Sequence, residues 1–137
     1  MSDRLLQIGE VAERAGLSLR TVRYYEETGL LEPTKRTGGG FRLYTDEHVE
    51  RLALIKRMKP LGFTVQQMRE LLDARDILHD PSAAADEREA ARQRLGDLAT
   101  LATAACEDLR EKLARGDELV KQLRRESRRP RATTVKD

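Results

Sequence analysis

Two short amphipathic patterns that meet at a tight turn constrain the fold of this chain more than any other feature. The first pattern places four apolar residues on one helix face: Ile8, Val11, Ala12 and Ala15. Gly16 can end this helix, and Ser18 is a favourable N-cap for the next one. Gly29 can then supply a left-handed stop. Two helices joined in this way predict a helix-turn-helix, with any small helical pair as the alternative.

The second helix separates an apolar side from a side that is rich in hydrogen-bond donors. On a 3.6-residue period Val22 and Tyr25 share an inward face. The outward side then carries two guanidinium groups, a hydroxyl and a phenol, from Arg20, Thr21, Arg23 and Tyr24. These groups suit contacts with phosphates and base edges. We therefore predict a recognition helix that enters the major groove of DNA.

A triple glycine at residues 38–40 predicts a small β-hairpin. Apolar and polar residues alternate after it, which places Phe41 and Leu43 on one face and Arg42 and Tyr44 on the other. Such a hairpin would be a wing that presents Arg42 and Tyr44 to DNA. A phosphate-binding loop is the alternative, but it needs a following Lys-Ser/Thr pair and a helix start, which the sequence lacks.

Two further helices complete the predicted head. Thr45 begins the third, whose buried stripe is Val49, Leu52, Ile55 and Met58, and Pro60 stops or kinks it. Thr64 and Gln67 form a capping box at the start of the fourth. That helix should bury Val65, Met68, Leu71 and Leu72. His48 and His79 have no other ligand residues at suitable spacing, so we expect surface or capping roles.

A heptad pattern predicts a long helix beyond a joint at residues 77–81. Asp80 and Pro81 suit a cap and a first helical position, so the helix should run from about Ser82 to Arg125. Its seam positions are Leu95, Leu98, Ala102, Ala105, Leu109, Lys112, Gly116, Leu119 and Leu123. So small a head cannot cover this stripe, and the same helix of a second copy should cover it. The predicted segments are a head at 1–76, a joint and dimerisation helix at 77–125, and a basic disordered tail at 126–137.

Composition narrows the functional class. Charged residues make up 36% and aromatic residues 4% of the chain, which favours long solvated helices, and the net charge of +2 does not by itself indicate nucleic-acid binding. A single cysteine excludes a disulfide framework and a metal site built from several thiolates of one chain. With no signal peptide and no long apolar run, we expect a cytoplasmic protein without membrane contact. No nucleophile-base pair, paired carboxylates or cofactor loop is present, so no enzymatic activity and no cofactor are predicted.

Three segments together resemble the MerR family of bacterial transcription regulators: residues 8–31, the Gly-Phe-Arg-Leu-Tyr run at 40–44 and the Leu-Gly-Phe-Thr run at 61–64. The resemblance covers residues 5 to about 76 and extends along the long helix to about 125. It implies a mainly α fold, with a winged helix-turn-helix head and an antiparallel coiled-coil homodimer. It also implies a two-fold operator in a promoter with an overlong spacer, which the dimer bends and untwists under control of an effector, with RNA polymerase at the same promoter.

The resemblance also assigns roles to individual residues. Arg20, Thr21, Arg23 and Tyr24 match the family's recognition-helix contacts, and Arg42 and Tyr44 match its wing. Metal-sensing members carry a cysteine pair after the coiled coil, whereas residues 124–137 contain no cysteine, so a metal effector is not expected. Two rival functions stay open: an architectural DNA-binding protein without an effector, and a coiled-coil module whose head binds protein.

Cys106 lies at a flanking heptad position of the long helix. We expect it to act as a small buried hydrophobe, because only Arg110 is placed to lower the pKa of its thiol. A reactive sensor thiol is the alternative. In that case oxidation beside the seam would change the angle between the two copies.

Overall fold

A computed structural model describes residues 5–33, 35–36 and 42–130 of the 137-residue chain. The elements are β1 (Leu6–Gln7), α1 (Ile8–Ala15), α2 (Leu19–Glu27), β2 (Lys35–Arg36), β3 (Arg42–Tyr44), α3 (Asp46–Met58), a 3-10 turn (Lys59–Leu61), α4 (Val65–His79) and α5 (Ala85–Arg128). The fold is the predicted one, mainly α with a winged helix-turn-helix head and a long C-terminal helix. Two compact units divide the chain, Met1–Thr100 and Leu101–Asp137, and each is described by itself.

The turn between α1 and α2 forms as the sequence predicts. Gly16 adopts a left-handed φ of 70°, and the amide of Leu17 donates to the carbonyl oxygen of Ala12 at 2.9 Å. The Ser18 hydroxyl then accepts a hydrogen bond from the amide of Thr21 at 3.1 Å. Gly29 follows the C-cap residue of α2, and its left-handed φ of 84° prevents the helix from continuing. These local interactions fix where α2 begins and ends.

A three-stranded antiparallel sheet in the order β1-β3-β2 packs beside the helices. The pairing of β2 with β3 confirms the predicted hairpin, with Lys35 opposite Leu43. The glycines at 38–40 and Phe41 lie outside the described residues. β1 was not predicted, because a two-residue strand has no measurable alternation. It forms because Leu6 pairs with Tyr44 and is fully buried.

The core of the first unit is built from β1, β3 and the first four helices. Leu52, Ile55 and Met58 are buried on α3 as predicted, while Val49 is half-buried against them. Thr64 and Gln67 form the predicted capping box of α4, with hydrogen bonds of 2.9 and 3.0 Å. Met68 and Leu72 are the buried residues of the predicted α4 stripe, and its other two members are half-buried.

The joint between α4 and α5 differs from the prediction. α4 continues to His79 and α5 begins at Ala85, not at Ser82. Asp80 does not cap α5. Its carboxylate instead accepts hydrogen bonds from the amide and hydroxyl of Ser82 at 2.9 and 2.7 Å, which lower the pKa of Asp80. The Arg88 guanidinium donates to the carbonyl oxygens of Leu78, Asp80 and Ala83, so a side chain from α5 holds the joint.

The second unit contains the C-terminal part of α5, which ends at Arg128 rather than near Arg125. Six large apolar residues are between 42% and 65% exposed: Leu101, Leu109, Leu113, Leu119, Val120 and Leu123. In the first unit, by contrast, the seam residue Leu98 is already buried within its own chain. The single-chain fold therefore covers one end of the predicted seam. The basic tail beyond residue 130 lies outside the described residues.

No helix within the described ranges is long and apolar enough to cross a membrane.

Candidate nucleic-acid interface

Helix α2 presents the predicted side chains on its outer side. Val22 and Tyr25 are buried, whereas Arg20 and Arg23 are exposed and Tyr24 is 49% exposed. The faces of α2 therefore follow the sequence prediction. The two guanidinium groups and the Tyr24 phenol are available to a partner that approaches this side.

Thr21 has a second role in the turn. It is half-buried, and its hydroxyl accepts a hydrogen bond from the Ser18 hydroxyl at 2.9 Å. Its amide donates to the same Ser18 side chain. The Thr21 hydroxyl can still donate its own proton to an incoming acceptor. Thr21 thus combines a position on the outer side of α2 with a contact that orders the first turn.

The two tyrosines of α2 contact one another across the boundary between surface and core. Their ring centroids are 5.4 Å apart, and the planes are tilted by 59°. Burial raises the pKa of Tyr25, and the neighbouring Tyr24 adds to this effect. Tyr25 is a core residue, as the sequence predicted, and its ring supports the exposed ring of Tyr24 from below.

The prediction that Tyr44 faces outward with Arg42 is wrong. Tyr44 is fully buried, and its hydroxyl donates to the carboxylate of Glu26 on α2 at 2.6 Å. Its ring also meets the His48 imidazole edge to face, with centroids 5.4 Å apart. From strand alternation alone we placed Tyr44 on the exposed face of β3. The sequence does not show that β1 pairs with the end of β3 or that α2 lies against it. Tyr44 therefore links the wing strand to α2 and does not belong to the exposed surface.

The wing is described at the level of its backbone. β3 begins at Arg42, which lies directly opposite Arg36 of β2. The structure describes no side-chain position for Arg42, so its predicted contact with DNA stays a prediction. Arg36 was not among the predicted site residues, although the register places two basic residues at one position of the hairpin.

Basic side chains from α3 and α4 contact the turn before α2 and the C-terminal end of α2. The Lys56 ammonium lies 3.4 and 3.3 Å from the carbonyl oxygens of Ala15 and Gly16, in the turn before α2. Arg69 donates to the carbonyl oxygen of Thr28, at the C-terminal end of α2, at 2.6 Å. Cations at helix C-termini are favourable because the carbonyl groups there carry partial negative charge. Sequence reasoning missed both residues, since their partners lie about forty positions away.

His48 serves the capping role that the sequence suggested. Its Nδ1 accepts the amide of Thr45 at 2.9 Å and so closes the capping box of α3. Burial lowers the pKa of His48, so the neutral imidazole is favoured, although a hydrogen bond to the Glu32 backbone partly opposes this. Among the residues that the structure describes, no group of three or more His, Cys, Asp or Glu side chains could hold a metal ion. Cys106 is half-buried on α5.

Two protein-family models match the sequence of this chain. The model of the MerR HTH family regulatory protein matches residues 6–75, which include α1, α2 and the wing. A second model, described as MerR, DNA binding, matches residues 49–129. Together the two models cover the described part of the chain almost from end to end.

Individual regulators are also similar in sequence to this chain. The HTH-type transcriptional regulator HmrR of Rhizobium leguminosarum bv. viciae is 39% identical over 94 residues, which cover 68% of this chain and 70% of HmrR. The mercuric resistance operon regulatory protein of Bacillus cereus is 44% identical over 70 residues, or 51% and 53% of the two chains. The chain thus spans about half the length of several curated relatives that it matches.

A solved structure extends the similarity to the fold of nearly the whole chain. The transcription regulator PbrR691 of Ralstonia metallidurans CH34, solved in complex with lead(II), is 30% identical. The alignment covers 95% of this chain and 91% of PbrR691, with a TM-score of 0.56.

Proposed function

This chain belongs to the MerR family, and from that membership we propose that it is a transcription regulator that binds a two-fold operator in promoter DNA as a homodimer. The named relatives are regulators, and one of them controls a resistance operon. The proposal assigns DNA contacts to Arg20, Thr21, Arg23 and Tyr24 on α2 and to Arg42 on the wing.

The observation that carries the proposal is the division of α2 into two sides. A buried side with Val22 and Tyr25 fixes the helix to the head, and the opposite side leaves Arg20, Arg23 and Tyr24 exposed. Arginine can contact guanine bases or phosphates, and the Tyr24 phenol can donate to a phosphate or contact a thymine methyl group. Lys56 holds the turn before α2 and Arg69 holds its C-terminal end, so Arg20, Arg23 and Tyr24 would meet DNA from a fixed helix.

Two copies are needed for the proposed action on a promoter. Each head would occupy one half-site, and the exposed apolar residues of α5 would hold the copies together. Bending and untwisting the DNA between the half-sites costs roughly 1 to 6 kcal/mol. Two recognition helices and two wings would supply that free energy through phosphate and base contacts. RNA polymerase at the same promoter is the proposed second partner, in the bacterial cytoplasm, and no catalytic step is involved.

The proposal is tested by selecting bound sequences from randomised DNA and titrating the best one with salt. We expect a two-fold site with half-sites about one helical turn or a multiple of it apart, and an affinity that falls steeply with salt concentration. Arg20→Ala should weaken binding to that site by roughly 1 to 3 kcal/mol. Arg92→Ala is the matched control, because it removes an exposed arginine of α5 that lies outside the proposed surface.

Three results would contradict the proposal or narrow it. If no sequence is enriched and binding is weak at physiological salt, specific regulation is excluded. If Arg20→Ala and Arg92→Ala lower the affinity equally, α2 is not the recognition helix. If a specific site is bound and bent but transcription never responds, the protein is architectural.

A further inference from the structure

Leu19, the first residue of α2, is exposed although its side chain is apolar. It is 42% exposed and does not belong to the core cluster of the described residues. Within the described part of the first unit, the exposed large apolar or aromatic side chains are those of Leu19 and Tyr24. A single exposed leucine is common on protein surfaces. Here, however, both exposed side chains belong to one nine-residue helix, the proposed recognition helix.

Leu19 and Tyr24 lie on opposite flanks of the two arginines of α2. With 3.6 residues per turn, Leu19 is the neighbour of Arg23, and Arg20 is the neighbour of Tyr24. The Cβ atoms of such neighbours are roughly 5 to 6 Å apart. The side chains of Leu19 and Arg23 can therefore contact an apolar group and a hydrogen-bond acceptor at adjacent positions of one partner.

The charges along α2 indicate which end of the helix faces DNA. Arg20 and Arg23 lie in its N-terminal half, and its first turn contains no acidic residue. Glu26 and Glu27 end the helix, and phosphates would repel their carboxylates. The N-terminal residues of a recognition helix are the ones that contact base edges. Leu19 is the first of these residues, so it is placed to reach the floor of the major groove.

The floor of the major groove offers a leucine side chain one apolar group, the C5-methyl group of thymine. The other groups on the base edges are hydrogen-bond donors and acceptors. Leucine has no polar atom with which to bond them, so covering them with Leu19 would leave them without partners. Thymine is therefore the base that Leu19 suits best.

We propose that Leu19 contacts the C5-methyl group of a thymine in each half-site and so selects thymine at that position. This inference rests on the proposed binding of promoter DNA and names a base preference within it. The thymine should lie about one or two base pairs from the base that Arg23 contacts, because successive bases are about 3.4 Å apart along the helix axis.

Replacement of single thymines in the selected operator by deoxyuridine tests the contact with the wild-type chain. Deoxyuridine keeps the hydrogen-bonding groups of thymine and lacks only the C5-methyl group. We expect one thymine position per half-site at which this change weakens binding about fourfold, and about fifteenfold when both half-sites are changed, because one methyl contact is lost from each. Fluorescence anisotropy measures the affinities. If no thymine position responds, the proposal is wrong.

A double-mutant cycle identifies the side chain that contacts the methyl group. Leu19→Ala should weaken binding to the thymine operator and should lose the response to deoxyuridine at the identified position. Tyr24→Ala should also weaken binding but should keep that response in full. If the response persists in Leu19→Ala and disappears in Tyr24→Ala, the contact belongs to Tyr24 and the proposal is overturned.

Selection from randomised DNA separates a specificity role of Leu19 from a structural one. Leu19→Ala should lose the enrichment of thymine at the identified position and keep the enrichment at other positions of the site. Leu113→Ala is the matched control, because it makes the same truncation at an exposed position of α5 and should keep the thymine preference. Unchanged thymine enrichment with Leu19→Ala would contradict the proposal.

The proposed function and this contact fail in different ways. If the wild-type chain enriches no sequence, the specific regulator and the thymine contact are excluded together. If it binds a specific site whose affinity does not depend on any thymine methyl group, the thymine contact alone is excluded.

Discussion

Removal of the Tyr44 hydroxyl tests whether the wing strand is fixed to the recognition helix. Tyr44→Phe leaves the ring and its edge-to-face contact with His48 in place and removes the 2.6 Å hydrogen bond to Glu26. A hydrogen bond to a charged group contributes about 1.5 to 3 kcal/mol. Glu26 is half-buried, so water can partly replace the lost donor. We therefore expect the free energy of unfolding to fall by about 1 to 2 kcal/mol.

The measurement is urea unfolding of the variant beside fluorescence anisotropy with the selected operator. Because the hydrogen bond joins β3 to α2, operator affinity should fall several-fold as well. Tyr24→Phe is the matched control: it removes a hydroxyl from an exposed ring, so stability should change by less than about 0.5 kcal/mol while operator affinity falls. Equal stability of Tyr44→Phe and the wild type would refute the reasoning. If Tyr44→Phe lowers the free energy of unfolding but leaves operator affinity unchanged, the hydrogen bond contributes to folding and not to DNA binding.

Three further changes test the interactions around the head. Arg88→Ala removes the hydrogen bonds that hold the α4–α5 joint and should cost about 2 kcal/mol in urea unfolding, whereas Arg92→Ala should cost little. Gly16→Ala forces a side chain into a left-handed residue and places its Cβ 2.7 Å from the Lys56 ammonium, so it should cost about 1 to 2 kcal/mol. Gly9→Ala within α1 has open space and should be neutral or stabilising, and equal effects of the two changes would refute the reasoning. Burial lowers the pKa of His48, so the unfolded chain binds its proton more readily and stability should decline as pH falls below about 6.5. His48→Gln keeps a capping side chain and should remove that part of the decline; an identical pH profile would contradict it.

The sequence predicted most features that depend on neighbouring residues. Ser18, Thr64 and Gln67 are capping residues whose partners lie within three positions, so their roles are visible in the sequence and present in the structure. The faces of α2 follow in the same way from the helical period. Leu52 and Ile55 are buried for the same reason, because an apolar stripe on an amphipathic helix turns toward the core.

One error concerns a contact between residues that are distant in the sequence, and the other concerns a local turn that the capping pattern did not predict. Alternation placed Tyr44 outward, but β1 and α2 close over the end of β3 and bury it. The predicted start of α5 at Ser82 was early by three residues, since Asp80 makes a local turn and Arg88 fixes the joint from the following helix.

Local chemistry therefore determined the helices, the caps of α2 and α4, the outer side of α2 and the apolar stripe of α5 from the sequence alone. The tertiary structure decided which polar groups became internal links: Tyr44 to Glu26, Lys56 to the turn before α2, and Arg69 to the end of α2. Helix periods and capping preferences extend over a few residues, whereas these links join positions 18 to 41 residues apart. Such pairs meet only after the helices have packed, so no pattern in the sequence identifies them.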